Sequence, residues 1–177
     1  MGWGKGASGD VGFAFIVLDD FERQCRQRVG WLVRVARTRG IAVRIEPFDE
    51  LRMPAGTRGY FVRRASENAT SPYGGLIMVN AQASDNGLIE EFRTLTGETE
   101  QAAVSSAARW FDILFTILHE LGHASLHAGM DYHDAREAEA DWFAGAYLGE
   151  LQKRPDLSPA DGCRLCDDLR QLHQGRR

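Results

Sequence analysis

Apolar residues recur at helical spacing over most of this sequence. Between Asp19 and Gly40 they repeat every three or four positions, and Asp19 with Glu22 is a candidate capping box that predicts the start of a first helix. From residue 84 onward the spacing is helical again. Further helices are predicted over about 86–95, about 98–127, about 135–151 and from Ser158 onward, where Ser158 with Asp161 is a second candidate capping box.

Short segments rich in β-branched and aromatic residues separate the first helix from the later ones. They cover residues 41–46, 59–64 and 76–80, and proline and glycine turn signals lie between them. We expect them to form a small sheet. The order of a helix, then strands, then helices predicts an α+β fold, with residues 1–18 as a glycine-rich arm and residues 19–177 as a single domain.

Composition and charge exclude several classes of function. With 177 residues, 44% of them hydrophobic, the chain has the composition of an ordinary globular domain. Its net charge of −4 argues against electrostatic binding to a phosphate backbone, so no direct nucleic-acid binding is expected. Three cysteines favour a reducing compartment over a disulfide framework. The apolar run over 11–18 is too short to span a bilayer, so we expect a cytoplasmic protein without a membrane role.

The predicted helix over 98–127 contains an H-E-x-x-H pattern at residues 119–123. His123 lies about 40° round the helix from His119, and Glu120 about 100°, so one face presents all three side chains. Two imidazoles one turn apart can bind one zinc ion, with the carboxylate beside a zinc-bound water. The alternative is that this face, the polar stripe of the helix, is only the solvent-exposed side of an otherwise buried helix. Three histidines within nine residues favour the metal site.

A third zinc ligand is expected from the next predicted helix. The residue that would complete an H-E-x-x-H-x-x-G-x-x-H pattern is a glycine, whereas catalytic zinc usually has three protein ligands. Glu137 and Asp141 share the packing face of the next helix, and Glu139 points to the opposite side. We assign Glu137 as the third ligand and Asp141 as the acceptor of an N–H of His119, and His127 is expected with Asp141 among the residues that support the ligands. The alternative for Glu137 is a capping box with Asp134 as the cap.

An electrophilic helper for the oxyanion is expected among three residues near the two site helices. Tyr132 and His133 lie in the connection between the helices, and His127 extends the histidine stripe. Each has an alternative role: His127 can cap the end of its helix, and Tyr132 or His133 can simply pack.

These residues resemble the ImmA/IrrE family of metallo-endopeptidases. Residues 118–127 are similar to its H-E-L-G-H-x-x-L-H pattern, and residues 137–144 to its E-x-E-A-N/D-x-F-A pattern. The resemblance implies a gluzincin-like minimal zincin fold, a small twisted sheet packed on an active-site helix pair. It implies one zinc ion on His119, His123 and Glu137, with Glu120 as the general base. It also implies a protein or peptide substrate such as a transcriptional regulator.

The chain departs from the family pattern in a long insertion, residues 81 to about 109, and in lacking a recognisable helix-turn-helix module. The expected reaction is zinc-assisted amide hydrolysis, with the substrate extended along a sheet edge at residues 76–80. Two alternatives remain. One is zinc-dependent hydrolysis of a small-molecule amide in a biosynthetic pathway. The other is a non-catalytic partner-binding module of a toxin–antitoxin or regulatory system.

Overall fold

Helices and strands form where the apolar spacing predicts them. A computed structural model describes residues 18–48, 56–63, 74–82, 86–97, 99–127 and 136–175. Within these ranges the predicted α+β class is confirmed, with five helices and a three-stranded mixed sheet. The elements are α1 (Leu18–Thr38), β1 (Ile41–Glu46), β2 (Gly59–Arg63), β3 (Gly75–Asn80), α2 (Asn86–Thr96), α3 (Gln101–Leu126), α4 (Glu137–Lys153) and α5 (Pro159–Gln174).

The two predicted capping boxes have different outcomes. At α5, the Ser158 hydroxyl accepts a hydrogen bond from the Asp161 main-chain N–H, and the capping box is present as predicted. At α1 the prediction is wrong, because the helix already begins at Leu18 and Asp19 lies in its first turn. The side chain of Leu18 is buried in an apolar cluster with Ile89 and Val104. Glu22 instead bonds Arg26, at 2.8 Å.

The sheet has the order β1-β3-β2, which makes β3 its central strand. β1 pairs with β3 in parallel, and β2 pairs with the other side of β3 antiparallel. The predicted substrate edge at residues 76–80 is therefore wrong, since both sides of that strand are already paired. The consecutive buried residues Ile77, Met78 and Val79 explain this position, because an unbroken apolar run suits a strand covered on both faces.

Helix α3 runs through the middle of the core, and glycine lets its neighbours approach closely. Its residues Ile117, Leu118 and Leu121 are fully buried and pack in the cluster shared with α1, α4, α5 and the sheet. A Cβ added at Gly122 would lie 3.1 Å from the Cα of Ala140 and 3.2 Å from the Cβ of Phe143. The first turns of α4 therefore lie directly against the H-E-x-x-H segment.

Helix α2 occupies much of the segment that departs from the family pattern. Its Ile89 packs with Val104 and Ala107 of α3 and with Leu18 of α1 in a second apolar cluster. The segment thus adds a helix beside the first half of α3. None of the helices in the described ranges is long and apolar enough to cross a membrane.

Candidate metal centre

Helices α3 and α4 bring the three predicted metal ligands to one point. The Nε2 atoms of His119 and His123 are 3.0 Å apart. The Glu137 carboxylate lies 3.0 Å from His119 Nε2 and 3.2 Å from His123 Nε2. Because each residue offers one ligand atom within 4.8 Å of the others, this group could hold a metal ion.

The hydrogen bond at the outer nitrogen of His119 is consistent with a metal ligand. Nδ1 of His119 lies 2.9 Å from the carboxylate of Asp141, at the position predicted for it. Since a carboxylate only accepts, this Nδ1 donates, and the Nε2 of the neutral ring carries a lone pair. That lone pair faces the carboxylate of Glu137 and the Nε2 of His123. With both rings neutral, two imidazole lone pairs and a carboxylate oxygen meet at one point, which is a donor set that a divalent cation takes.

Burial keeps His123 in the neutral form that a metal ligand requires. The side chain of His123 is 3% exposed, whereas that of Glu137 is 59% exposed. Burial, followed by the neighbouring His119, lowers the pKa of His123 to about 4. The ring is therefore uncharged near neutral pH and able to offer a lone pair.

Glu120 lies beside this group, in surroundings that raise its affinity for a proton. Burial, followed by the charge of Glu137, raises the pKa of Glu120 to about 8. The main-chain N–H of Phe61 donates a hydrogen bond to the Glu120 carboxylate and opposes this rise. Strand β2 approaches here because Gly59 has no side chain: an added Cβ would lie 2.5 Å from Cγ2 of Thr116 and 3.4 Å from Oε1 of Glu120.

The polar stripe of α3 lines a groove and is not a wet helix face. Asp112, Thr116, Glu120 and His123 are buried. The groove has a volume of about 720 Å³ and lies between β2, α2, α3 and α4. His119, Glu120, Glu137 and Asp141 form part of its wall.

An ion pair lies along the same groove, on the part of α3 that precedes the histidines. The guanidinium of Arg58 lies 3.1 Å from the carboxylate of the buried Asp112. Sequence reasoning did not single out Arg58, because no spacing rule relates a residue beside a strand to a helix that follows it by some fifty positions.

The candidates for the oxyanion helper have separate outcomes. Tyr132 and His133 lie outside the described residues. His127 lies behind His123 and not in the groove, because its Nδ1 is 3.1 Å from His123 Nδ1 and its Nε2 is 2.8 Å from Glu139. This position suits the ligand-supporting role expected for it and not the role of oxyanion helper. His127 is the C-cap residue of α3, as its alternative role predicted, through a main-chain bond to His123.

The capping alternative for Glu137 stays a prediction. Within the described residues α4 begins at Glu137, and Arg136 before it has helical backbone angles and makes no side-chain capping bond. Asp134 itself lies outside the described residues. The Glu137 side chain turns toward the histidines.

Glu139 is a site residue that sequence reasoning missed. The helical wheel correctly separates it from Glu137 and Asp141, but that separation brings it to His127 at the end of α3. The sequence carried one signal for this contact: the first turn of α4 contains two glutamates, Glu137 and Glu139, and the end of α3 carries more than one histidine.

A comparison of the chain with family models, with curated proteins and with solved structures finds no match.

Proposed function

We propose that this protein is a zinc-dependent metallopeptidase with a gluzincin-like minimal zincin fold. One observation carries the proposal: His119, His123 and Glu137 converge on one point, and the buried carboxylate of Glu120 stands beside them in the wall of an open groove. A purely structural metal site needs no fourth, non-ligating carboxylate of raised pKa. The resemblance of the two motifs to the ImmA/IrrE family supports the same assignment.

The roles of the chain's own residues follow from their positions. When bound by His119, His123 and Glu137, zinc would lower the pKa of a water and polarise the carbonyl of the scissile amide. Glu120 accepts the proton of the attacking water and delivers it to the leaving amine nitrogen. The N–H of Phe61 keeps the Glu120 carboxylate oriented, and Asp141 holds the ring of His119.

The substrate main chain is proposed to add to β2, which replaces the edge first expected at β3. The carbonyl of Arg58 accepts from the N–H of Asn80, so alternation along β2 directs the main-chain groups of Tyr60 toward β3. Those of Gly59 and Phe61 point to the other side, where Glu120 already bonds Phe61. An extended peptide beside β2 would bring its amide bonds close to Glu120.

The choice of a protein or peptide substrate, for example a transcriptional regulator, depends on the family resemblance. A groove of about 720 Å³ also lies within the size range of small-molecule sites, so the substrate class has to be tested directly.

The test compares zinc content and cleavage in three proteins. Wild type, E120Q and H123A are purified and equilibrated with zinc. After unbound zinc is removed, the bound metal is measured by mass spectrometry. We expect about one zinc per chain in wild type and E120Q and a loss in H123A, because of the two replaced residues only His123 is a proposed ligand. Equal zinc content in E120Q and H123A would contradict these roles.

Cleavage is then measured on a proteome-derived peptide library and on the product of the neighbouring gene. New peptide termini produced by wild type and absent with E120Q would support the peptidase. The same termini formed at the same rate by both proteins, but not by the zinc-free H123A, would refute the assignment of Glu120. Zinc-loaded wild type that cuts neither substrate would refute the peptidase and leave the amide-hydrolase and binding-module alternatives.

A further inference from the structure

A chain of hydrogen-bonding side chains leads from His123 away from the groove. Nδ1 of His123 lies 3.1 Å from Nδ1 of His127, and Nε2 of His127 lies 2.8 Å from Oε2 of Glu139. His127 is 8% exposed, so water has little access to the middle of this chain. Glu139 is also the point at which α5 approaches, since Nε2 of His173 lies 3.7 Å from the same carboxylate oxygen.

The direction of each hydrogen bond is fixed once His123 offers Nε2 to a cation. A neutral imidazole has one proton, so the proton of His123 must be on Nδ1, and that N–H must donate to His127. Nδ1 of His127 then accepts, which requires the proton of His127 on Nε2. The N–H at Nε2 of His127 needs a hydrogen-bond acceptor, and the carboxylate of Glu139 is the acceptor at hydrogen-bond distance.

Without Glu139, the N–H at Nε2 of His127 would lose its acceptor, and in the metal-free protein the second tautomer of His127 would become accessible. In the second tautomer, Nδ1–H of His127 would face Nδ1–H of His123 at 3.1 Å, and His123 would have to move its proton to Nε2 to restore a bond. That change would place a proton on the atom that should face the metal.

We propose that Glu139 is a positioning residue which, through His127, holds His123 in its metal-binding tautomer. The two ring ligands are thus supported in parallel ways: Asp141 contacts His119 directly, and Glu139 acts on His123 through an intervening imidazole. This inference rests on the metal site of the proposed function, but it does not depend on the reaction or on the substrate.

The first test measures zinc affinity by competition with a chromophoric chelator at one fixed pH. The proteins are wild type, E139A, E139Q and the matched control E150Q, which alters a glutamate of the same helix that pairs with Lys153. We expect E139A to bind zinc at least about tenfold more weakly than wild type, the lower end for loss of such a partner. E139Q, whose amide oxygen still accepts, should lie between them, and E150Q should equal wild type.

The second test reads the tautomers directly in the metal-free protein. Long-range proton–nitrogen spectra of protein labelled at histidine nitrogens report which ring nitrogen carries the proton. In wild type and E150Q we expect His123 protonated at Nδ1, and in E139A a mixture of both forms. If E139A does not fold, judged by its thermal unfolding without metal, E139Q provides the same comparison with a smaller change.

The outcomes separate the two proposals. If E139A matches E150Q in zinc affinity, or if His123 keeps one tautomer in E139A, the role of Glu139 is refuted while the metal site stands. If E139Q binds zinc as weakly as E139A, the acceptor role is refuted. If wild type itself binds no zinc, the proposed function fails, whereas the tautomer measurement still decides the role of Glu139.

Discussion

The contact between α3 and α4 at Gly122 gives the sharpest prediction, because it links packing directly to the metal ligands. A Cβ at position 122 would lie 3.1 Å from the Cα and 3.2 Å from the carbonyl oxygen of Ala140. These are main-chain atoms, so the contact can be relieved only by moving α4 as a whole. Glu137 and Asp141 belong to the same stretch of α4 and would move with it. G122A is therefore expected to disturb the site as well as the core.

The size of the effect is estimated against G145A on α4, where nothing lies within 4 Å of an added Cβ. Replacing glycine by alanine in an exposed helix interior raises the free energy of unfolding by up to about 1 kcal/mol. G145A should show this gain alone. In G122A the gain is opposed by overpacking, which costs roughly 1–3 kcal/mol. G122A should thus be about 1–3 kcal/mol less stable than G145A, which is roughly 2–12 °C in Tm for a chain of this size.

The assay has two readouts. Thermal unfolding is measured with a chelator present, so that bound metal does not contribute to the Tm. Zinc affinity is measured separately for wild type, G122A and G145A, and only G122A should bind more weakly, since only there does Glu137 shift. A G122A protein as stable as G145A and with the zinc affinity of wild type would refute the close packing of α4 on the histidine segment.

Two further predictions concern the carboxylates of the site. In the metal-free protein, burial and then Glu137 raise the pKa of Glu120 from 4.5 to about 8, so the folded state holds a proton that the unfolded state releases. Its contribution to stability is therefore full below pH 4.5 and lost as the pH rises through about 8. The free energy of unfolding of E120Q should fall less over this window in chelator-treated denaturant titrations, and identical slopes for both proteins would contradict the raised pKa. D141A should bind zinc roughly 10–100-fold more weakly, while D141N, which keeps an acceptor oxygen for His119, should lose less; equal losses in a chelator competition would argue against the hydrogen bond.

The part of the site that lies within one helix could be predicted from the sequence. His119, Glu120 and His123 share a face because helix geometry alone fixes their angles, and the pattern of α3 is unambiguous. Glu137 and Asp141 also follow from spacing once α4 is assumed to pack on α3. The glycine that permits this packing was read only as part of the motif, since its contact with Ala140 is a long-range one.

Features that depend on contacts between distant segments could not be predicted from local sequence patterns. The three strands were located well, but their order places residues 76–80 in the centre of the sheet, because strand order is decided by pairing and not by spacing. The wheel showed on which side of α4 Glu139 lies, but it could not show that the end of α3 and His127 come to meet it.

The uneven exposure of the three ligands has a kinetic consequence. His123 is enclosed, with a side chain that is 3% exposed, whereas the Glu137 side chain is 59% exposed at the start of α4. A carboxylate in contact with solvent can swing aside at small cost, which opens a route for ion exchange that leaves both rings in place. We therefore expect uptake and release to occur by way of the glutamate. The identity of the resident ion would then follow its supply in the surroundings, together with the intrinsic preference of a nitrogen and oxygen donor set.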